Sequence, residues 1–262
     1  MSASAQPETV LHGCGLILVR PKYPENIGAA ARIACNFGFS QLTVVADEPP
    51  EQERMLKMAT HKAAWMIEQL RLVSSSSEAA APYQFLVGTT ARQRKHRAED
   101  SGHPHAVMTE LARLIAAGSR AALMFGPENT GLANEDVDLC QFTCTVPTAD
   151  FSSLNLAQAV AIHCYELFMA AGKTMPLGSG GSYANSHELE GMYEHIEQTL
   201  NRIGLIRDTS RNYWMRTIRQ FLSRTKIKKK EASMIRGVCR KFLQQSGGPG
   251  WLPPEQRKPP SD

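Results

Sequence analysis

The strongest constraint on this chain is an alternation of short apolar, β-branched runs with helix-patterned segments. GLILVRP from Gly15 is a strand signal. It is followed by Asn26, read as a helix N-cap, and by the Ala-rich IGAAARIACNF, which stops at Gly38 in the position of a helix C′ residue. QLTVVAD is a second strand. Met55, Met58, Ala59, Lys62, Met66 and Leu70 recur near helical spacing across Glu51 to Leu72, and the Ser/Ala run from Ser74 to Ala81 reads as a loop. YQFLVGTTAR is a strand entering a loop, and a helix near Val107 to Ala117 leads into the strand RAALMFG. FTCTVPT is one more strand, and Asn155 to Ala171 one more helix. Strands separated by helices predict an α/β fold with a mostly parallel sheet flanked by helices on both faces. Functional residues in such folds gather at the carboxyl ends of the strands.

With 262 residues, 42% of them hydrophobic and 21% charged, the chain can bury a core without disulfides or metals. The longest apolar stretch, Leu154 to Ala171, is interrupted by Gln158, His163 and Glu166, so no membrane span is expected. MSASAQPETV has neither the basic nor the apolar region of an export signal. The 6 cysteines are scattered and lie mostly in apolar runs, as expected for reduced thiols in a cytoplasmic protein.

Charge is unevenly spread. Residues 1–185 hold 14 Lys and Arg against 17 Asp and Glu, a balance of −3, whereas residues 186–262 hold 15 against 8, a balance of +7. Arg202 to Lys241 alone carries 13 basic residues, opposed only by Asp208 and Glu231. A basic module joined to a near-neutral body suggests a polyanionic partner, nucleic acid ahead of membrane; a solvated helical surface is the plainer reading. GKTMPLGSGGSYANS from Gly172 has the composition of a linker, and the helical pattern resumes at His187. The expected organisation is disordered ends at 1–12 and 247–262, a body at 13–171, a linker at 172–186 and a small basic helical extension at 187–246 that binds nucleic acid.

No P-loop, dinucleotide fingerprint, G-x-S-x-G elbow or H-E-x-x-H occurs. Cys140 and Cys144 have no matching pair nearby, so no metal is expected. Three segments remain unusual for a mere core. Pro24 to Arg32 places Asn26 and Arg32 at a strand-to-helix turn. Phe125 to Leu132 places Gly126, Glu128 and Gly131 after an apolar strand. Ser152 to Ala159 places Ser152, Ser153 and Asn155 at a helix start. Taken singly they also read as a surface arginine, turn glycines and an N-cap serine. Ala29, Ala30 and Ala31 either let two helices approach closely or simply favour helix.

NIGAAARIACNFGF, LMFGPENTGLANED and VPTADFSSLNLAQAVAI resemble, in order, the three motifs of the SPOUT superfamily of RNA 2′-O-ribose methyltransferases, and are most similar to its TrmJ branch. The resemblance covers residues 13–171 and extends more loosely into HELEGMYEHIEQTLNRIGLI. It implies a trefoil knot in the C-terminal half of the body, bent S-adenosylmethionine as methyl donor with no metal, and a homodimer whose site draws on both copies. Arg32 and Asn26 match the first motif's functional residues, Glu128 the second's, and Ser153 with Asn155 the third's. Thr89, Thr90 and Ala91 correspond to the first loop around the methyl donor, and Gly126, Val146, Ser152, Ser153 and Leu154 to the other two.

The reaction so implied is transfer of a methyl group to a ribose 2′-oxygen of tRNA, at the pyrimidine at nucleotide 32 of the anticodon loop. Arg32 would stabilise the developing alkoxide rather than act as a base, because a guanidinium is very hard to deprotonate. Ribosomal RNA or another tRNA position is the alternative target. A non-catalytic RNA-binding protein is the alternative class.

Overall fold

A computed structural model describes residues 11–90, 101–149, 154–173, 183–206 and 211–246. The chain divides into two compact units, with the boundary between residues 182 and 183. The first unit is built on a 7-stranded sheet. Its strands are β1 (Cys14–Val19), β2 (Leu42–Val45), β3 (Arg71–Val73), β4 (Phe85–Thr89), β5 (Ser101–Gly102), β6 (Ala121–Phe125) and β7 (Phe142–Cys144), in the spatial order β3-β2-β1-β6-β4-β7-β5. Every pairing between these strands is parallel. The central strands β1 and β6 are buried at every residue, which is why they read as unbroken apolar runs rather than alternating ones.

The helices of this unit are α1 (Pro24–Asn36), α2 (Gln52–Glu68), α3 (Ser76–Ala80), α4 (Pro104–Ala116), α5 (Asn134–Asp138) and α6 (Leu156–Ala171). On one sheet face Ile17, Val19, Leu86, Ala122 and Met124 form a core with Ala79 and Ala80 of α3 and Val137 of α5. Alternation along each strand sends Leu16, Leu18 and Phe125 to the other face. There α1 packs on α2 and α6, and α4 packs on α6. His163 of α6 lies edge-on to Phe125, with ring centroids 5.5 Å apart, and burial holds its imidazole below the ordinary value.

Several local readings change. Asn26 is not an N-cap: α1 starts two residues earlier, at Pro24, whose fixed φ suits the first helical position. Tyr23, extended as a residue before proline should be, takes the cap position with no side-chain bond. This leaves the Asn26 amide available for other partners. The segment from Ser74 to Ala81 is not all loop, since Ser75 accepts a hydrogen bond from Glu78 N and opens α3. The helical reading to Leu72 runs too far, because β3 begins at Arg71. Gly38 does follow the end of α1 in the left-handed region, at φ 77°.

The small residues of α1 serve packing within the chain. Ala30, Ala31 and Ala34 are fully buried, and a Cβ on Gly28 would lie 1.9 Å from the Met55 carbonyl oxygen of α2. Gly28→Ala should therefore force the two helices apart and lower stability by about 1–3 kcal/mol. The measurement is the urea midpoint; an unchanged midpoint would mean that α2 yields without cost.

The second unit comprises α7 (Ser186–Arg202), α8 (Arg211–Ser223) and α9 (Lys229–Ser246). Leu189, Met192 and Tyr193 of α7, Met215 of α8 and Ala232 of α9 are buried in a separate core. Tyr183 to Ser186, within the stretch read as linker, are part of this unit. Ala184 N donates to Ile227 O at 2.9 Å, and Asn185 caps α7 in a capping box with Glu188. Acids of α7 meet bases of the other two helices: Arg219 with Glu190, Arg211 with Glu197, and Lys229 with Glu188. Among the described residues no helix is long and apolar enough to cross a membrane, and no disulfide joins any of the cysteines. The tails at 1–10 and 247–262, and 174–182 of the linker, lie outside the described residues.

Candidate active site

The carboxyl ends of β6, β4 and β7 lie side by side, with Gly88 opposite Met124 and Thr89 opposite Cys144. The loops leaving these strands therefore emerge along one edge: Gly126 after β6, Thr90 after β4, and Thr145 and Val146 after β7. Thr89 Oγ1 donates to Met124 O at 3.2 Å and Thr90 N to Cys144 O at 2.9 Å, so these threonines tie the three strands together at that edge. Thr89, Thr90, Gly126, Val146 and Leu154 are all half-buried. Their side chains are small, apolar or hydroxyl-bearing, a lining chemically compatible with a nucleoside group. Gly126 has a structural demand of its own. A Cβ there would lie 2.2 Å from Leu132 N, because the loop folds back through a Gly131 N to Pro127 O bond of 2.8 Å. Ala91, Ser152 and Ser153 lie outside the described residues.

Beside this edge three residues from the three distant motifs meet. Asn26 Nδ2 donates to Glu128 Oε1 at 2.5 Å, and Asn155 Nδ2 donates to Asn26 Oδ1 at 3.2 Å. The second carboxylate oxygen of Glu128 accepts from Lys22 N at 2.8 Å. Asn155 also serves α6: its Oδ1 accepts from Ala157 N at 2.9 Å, and its own N donates to Gln158 Oε1 at 3.0 Å. The N-cap of α6 is thus this asparagine and not a serine. The result is an ordered chain, carboxylate to amide to amide, in which each amide uses both its nitrogen and its oxygen.

Arg32 does not join this chain. It lies six residues beyond Asn26 on α1, which places it about 120° around the helix. Its side chain is exposed and makes no hydrogen bond or ion pair among the described residues. The cation and the polar chain belong to different faces of one helix.

Two contributors carry no clear signal in the sequence. One is the Lys22 main-chain N–H on Glu128. The other is Arg54 of α2, which grips Glu25 through two bonds of 2.8 and 3.0 Å and also reaches Glu51 at 3.1 Å. Hydrogen bonding from Arg54 holds the Glu25 carboxyl below the usual carboxylate range. The pair fixes the first turn of α1 next to Asn26. Glu25 stands out only as a first-turn acid, and Arg54 is 29 residues away in sequence. A separate concavity, lined by Gln41, Thr43, Arg71, Tyr83 and Arg120, lies at the opposite, amino ends of the strands and shares no residue with this site.

Residues 14–165, the parallel-sheet unit with its polar chain, match the SpoU rRNA Methylase family, and the chain belongs to that family of methyltransferases. Its branch is given by the second unit, where residues 187–249 match the C-terminal domain of tRNA methyltransferase TrmJ. A Pseudomonas aeruginosa relative, tRNA (cytidine/uridine/adenosine-2′-O-)-methyltransferase TrmJ, is 32% identical over 236 residues, covering 85% of this chain and 91% of the relative. The tRNA (cytidine/uridine-2′-O-)-methyltransferase TrmJ of Salmonella typhimurium is 28% identical over 245 residues, covering 91% of this chain and 100% of the relative. The crystal structure of TrmJ from Z. mobilis ZM4 superposes with a TM-score of 0.75 at 32% identity, covering 87% of this chain and 98% of that one.

Proposed function

We propose that this chain is an S-adenosylmethionine-dependent tRNA 2′-O-ribose methyltransferase that acts at the pyrimidine at nucleotide 32 of the anticodon loop. The observation that carries this reading is the bond chain from Glu128 through Asn26 to Asn155, set beside the ends of β6, β4 and β7. The tRNA methyltransferase activities for which the TrmJ relatives are named support tRNA as the substrate class. The trefoil knot, the cytoplasmic location and a role for Ala91, Ser152 and Ser153 in the donor site belong to the same reading.

When bound, S-adenosylmethionine supplies a methyl group already activated by its sulfonium. The protein's task is to position the ribose hydroxyl and to stabilise the charge that grows as its proton departs to water. Asn26 and Asn155, held in register by Glu128, orient the sugar. Arg32 provides the stabilising cation. Because Arg32 and Asn26 occupy different faces of α1, the arrangement supports a homodimer in which Arg32 of one copy completes the site of the other. Tyr165 and Met169 on α6, 49% and 39% exposed, supply apolar surface for such a contact. The basic second unit holds the tRNA.

The test is to incubate the full chain separately with bulk tRNA and with ribosomal RNA, each with methyl-labelled donor, then map the product by mass spectrometry. A ribose methyl at nucleotide 32 is the expected result. Label on ribosomal RNA alone would replace the tRNA assignment, and label on no RNA would leave a binding protein.

A further inference from the structure

Helix α8 presents two faces of different chemistry. Trp214, Met215, Ile218 and Leu222 turn inward to the core of the second unit, and Arg219 turns with them to meet Glu190 and the Tyr193 ring. At 100° per residue the opposite arc carries Arg216, Gln220, Tyr213 and Thr217, while Phe221 lies at its margin, about 80° round from Tyr213, with Arg224 just past the helix end. On this arc and its margin Tyr213 is 71% exposed and Phe221 65% exposed. Neither ring is needed to close the core beneath it. The two are eight residues apart, hence about 12 Å along the helix.

Along the chain from α8 into α9 the charge has one sign. From Arg211 to Lys230 the sequence contains 8 Lys and Arg and no Asp or Glu. Arg211, Arg219 and Lys229 of that set face acids of α7. Exposed Arg216 follows Tyr213 by three residues, and exposed Arg224 follows Phe221 by three. Large aromatic faces interleaved with guanidinium groups are the pattern that holds unpaired bases: the rings stack on them and the cations take the phosphates. A duplex cannot use the rings, because its bases are already stacked on one another and the A-form major groove is too narrow for side chains. A protein partner favoured by this charge would be an acidic one.

We propose that the outer face of α8 is a stacking platform for a single-stranded RNA segment, with bases on Tyr213 and Phe221 and phosphates on Arg216 and Arg224. This rests on the reading of the chain as an RNA-modifying enzyme, and adds that its second unit recognises unpaired nucleotides and not the tRNA's charge alone.

The test uses the full chain and two probes of equal length, an unstructured pyrimidine oligoribonucleotide and a blunt RNA duplex, with binding followed by fluorescence anisotropy over a range of salt. In Tyr213→Ala/Phe221→Ala, single-strand affinity should fall by about 10-fold or more, with duplex affinity held within about 2-fold and the salt slope unchanged. Tyr213→Phe/Phe221→Trp should bind the single strand like the parent chain. An equal loss on both probes, no loss on either, or a change in oligomeric state on sedimentation would overturn the platform. If the parent chain methylates tRNA while the ring variants bind normally, only this proposal fails. If the parent chain neither methylates nor binds RNA, the enzymatic reading fails with it.

Discussion

Replacing Arg32 by alanine should remove at least about 100-fold of the methyl-transfer rate while leaving S-adenosylmethionine binding within a few-fold. The side chain is exposed and bonds to nothing among the described residues, so its loss should not disturb the fold. The strand-end loops after β4, β6 and β7, proposed to hold the donor, lie on other elements. Unaltered activity would take Arg32 out of the mechanism. A stronger form of the test mixes two inactive proteins, Arg32→Ala and Asn26→Ala. If each site combines Asn26 of one copy with Arg32 of the other, mixed dimers contain one intact site, and about a quarter of all sites should recover. No recovery after subunit exchange would place both residues in the same copy's site.

The second large effect concerns the basic unit. Removing residues 183–262 should weaken tRNA binding by at least about 100-fold at low salt and flatten its dependence on ionic strength, since clustered cations bind by releasing counterions. The parallel-sheet unit has its own core on both faces of the sheet and should keep its thermal transition. Equal affinity of the shortened chain at every salt concentration would assign the second unit another role. The contrast with the α8 ring variants is informative. Deleting charge changes the salt slope, whereas deleting rings changes affinity at constant slope.

The strands that could be read from the sequence were those buried on both faces. β1 and β6 present runs of apolar residues that little else in a globular protein explains. β3 was hidden because it has three residues, two of them exposed, and β5 because it is a Ser–Gly pair. α3 has five residues and depends on Ser75 as a cap more than on any apolar period. In the site, Asn26, Glu128 and Asn155 could be named from motif resemblance, but not their bonding to one another, which spans 102 and 129 residues of sequence. The orientation of Arg32 was hidden for a different reason. A helix's phase depends on where it docks, and a Cβ-free contact at Gly28 sets that for α1. Arg54 could not have been found at all, because an arginine on an exposed helix looks alike whether or not it holds a distant glutamate.

Asn155 joins architecture to chemistry through a single side chain. For starting α6 alone, aspartate, serine or threonine at this position would serve about as well. Only the amide offers a nitrogen outward while its oxygen holds the helix. The first turn of α6 and the alignment of Asn26 must therefore form or fray together, so loosening of that one turn would disorder the Asn26 amide while the sheet beneath it stays intact.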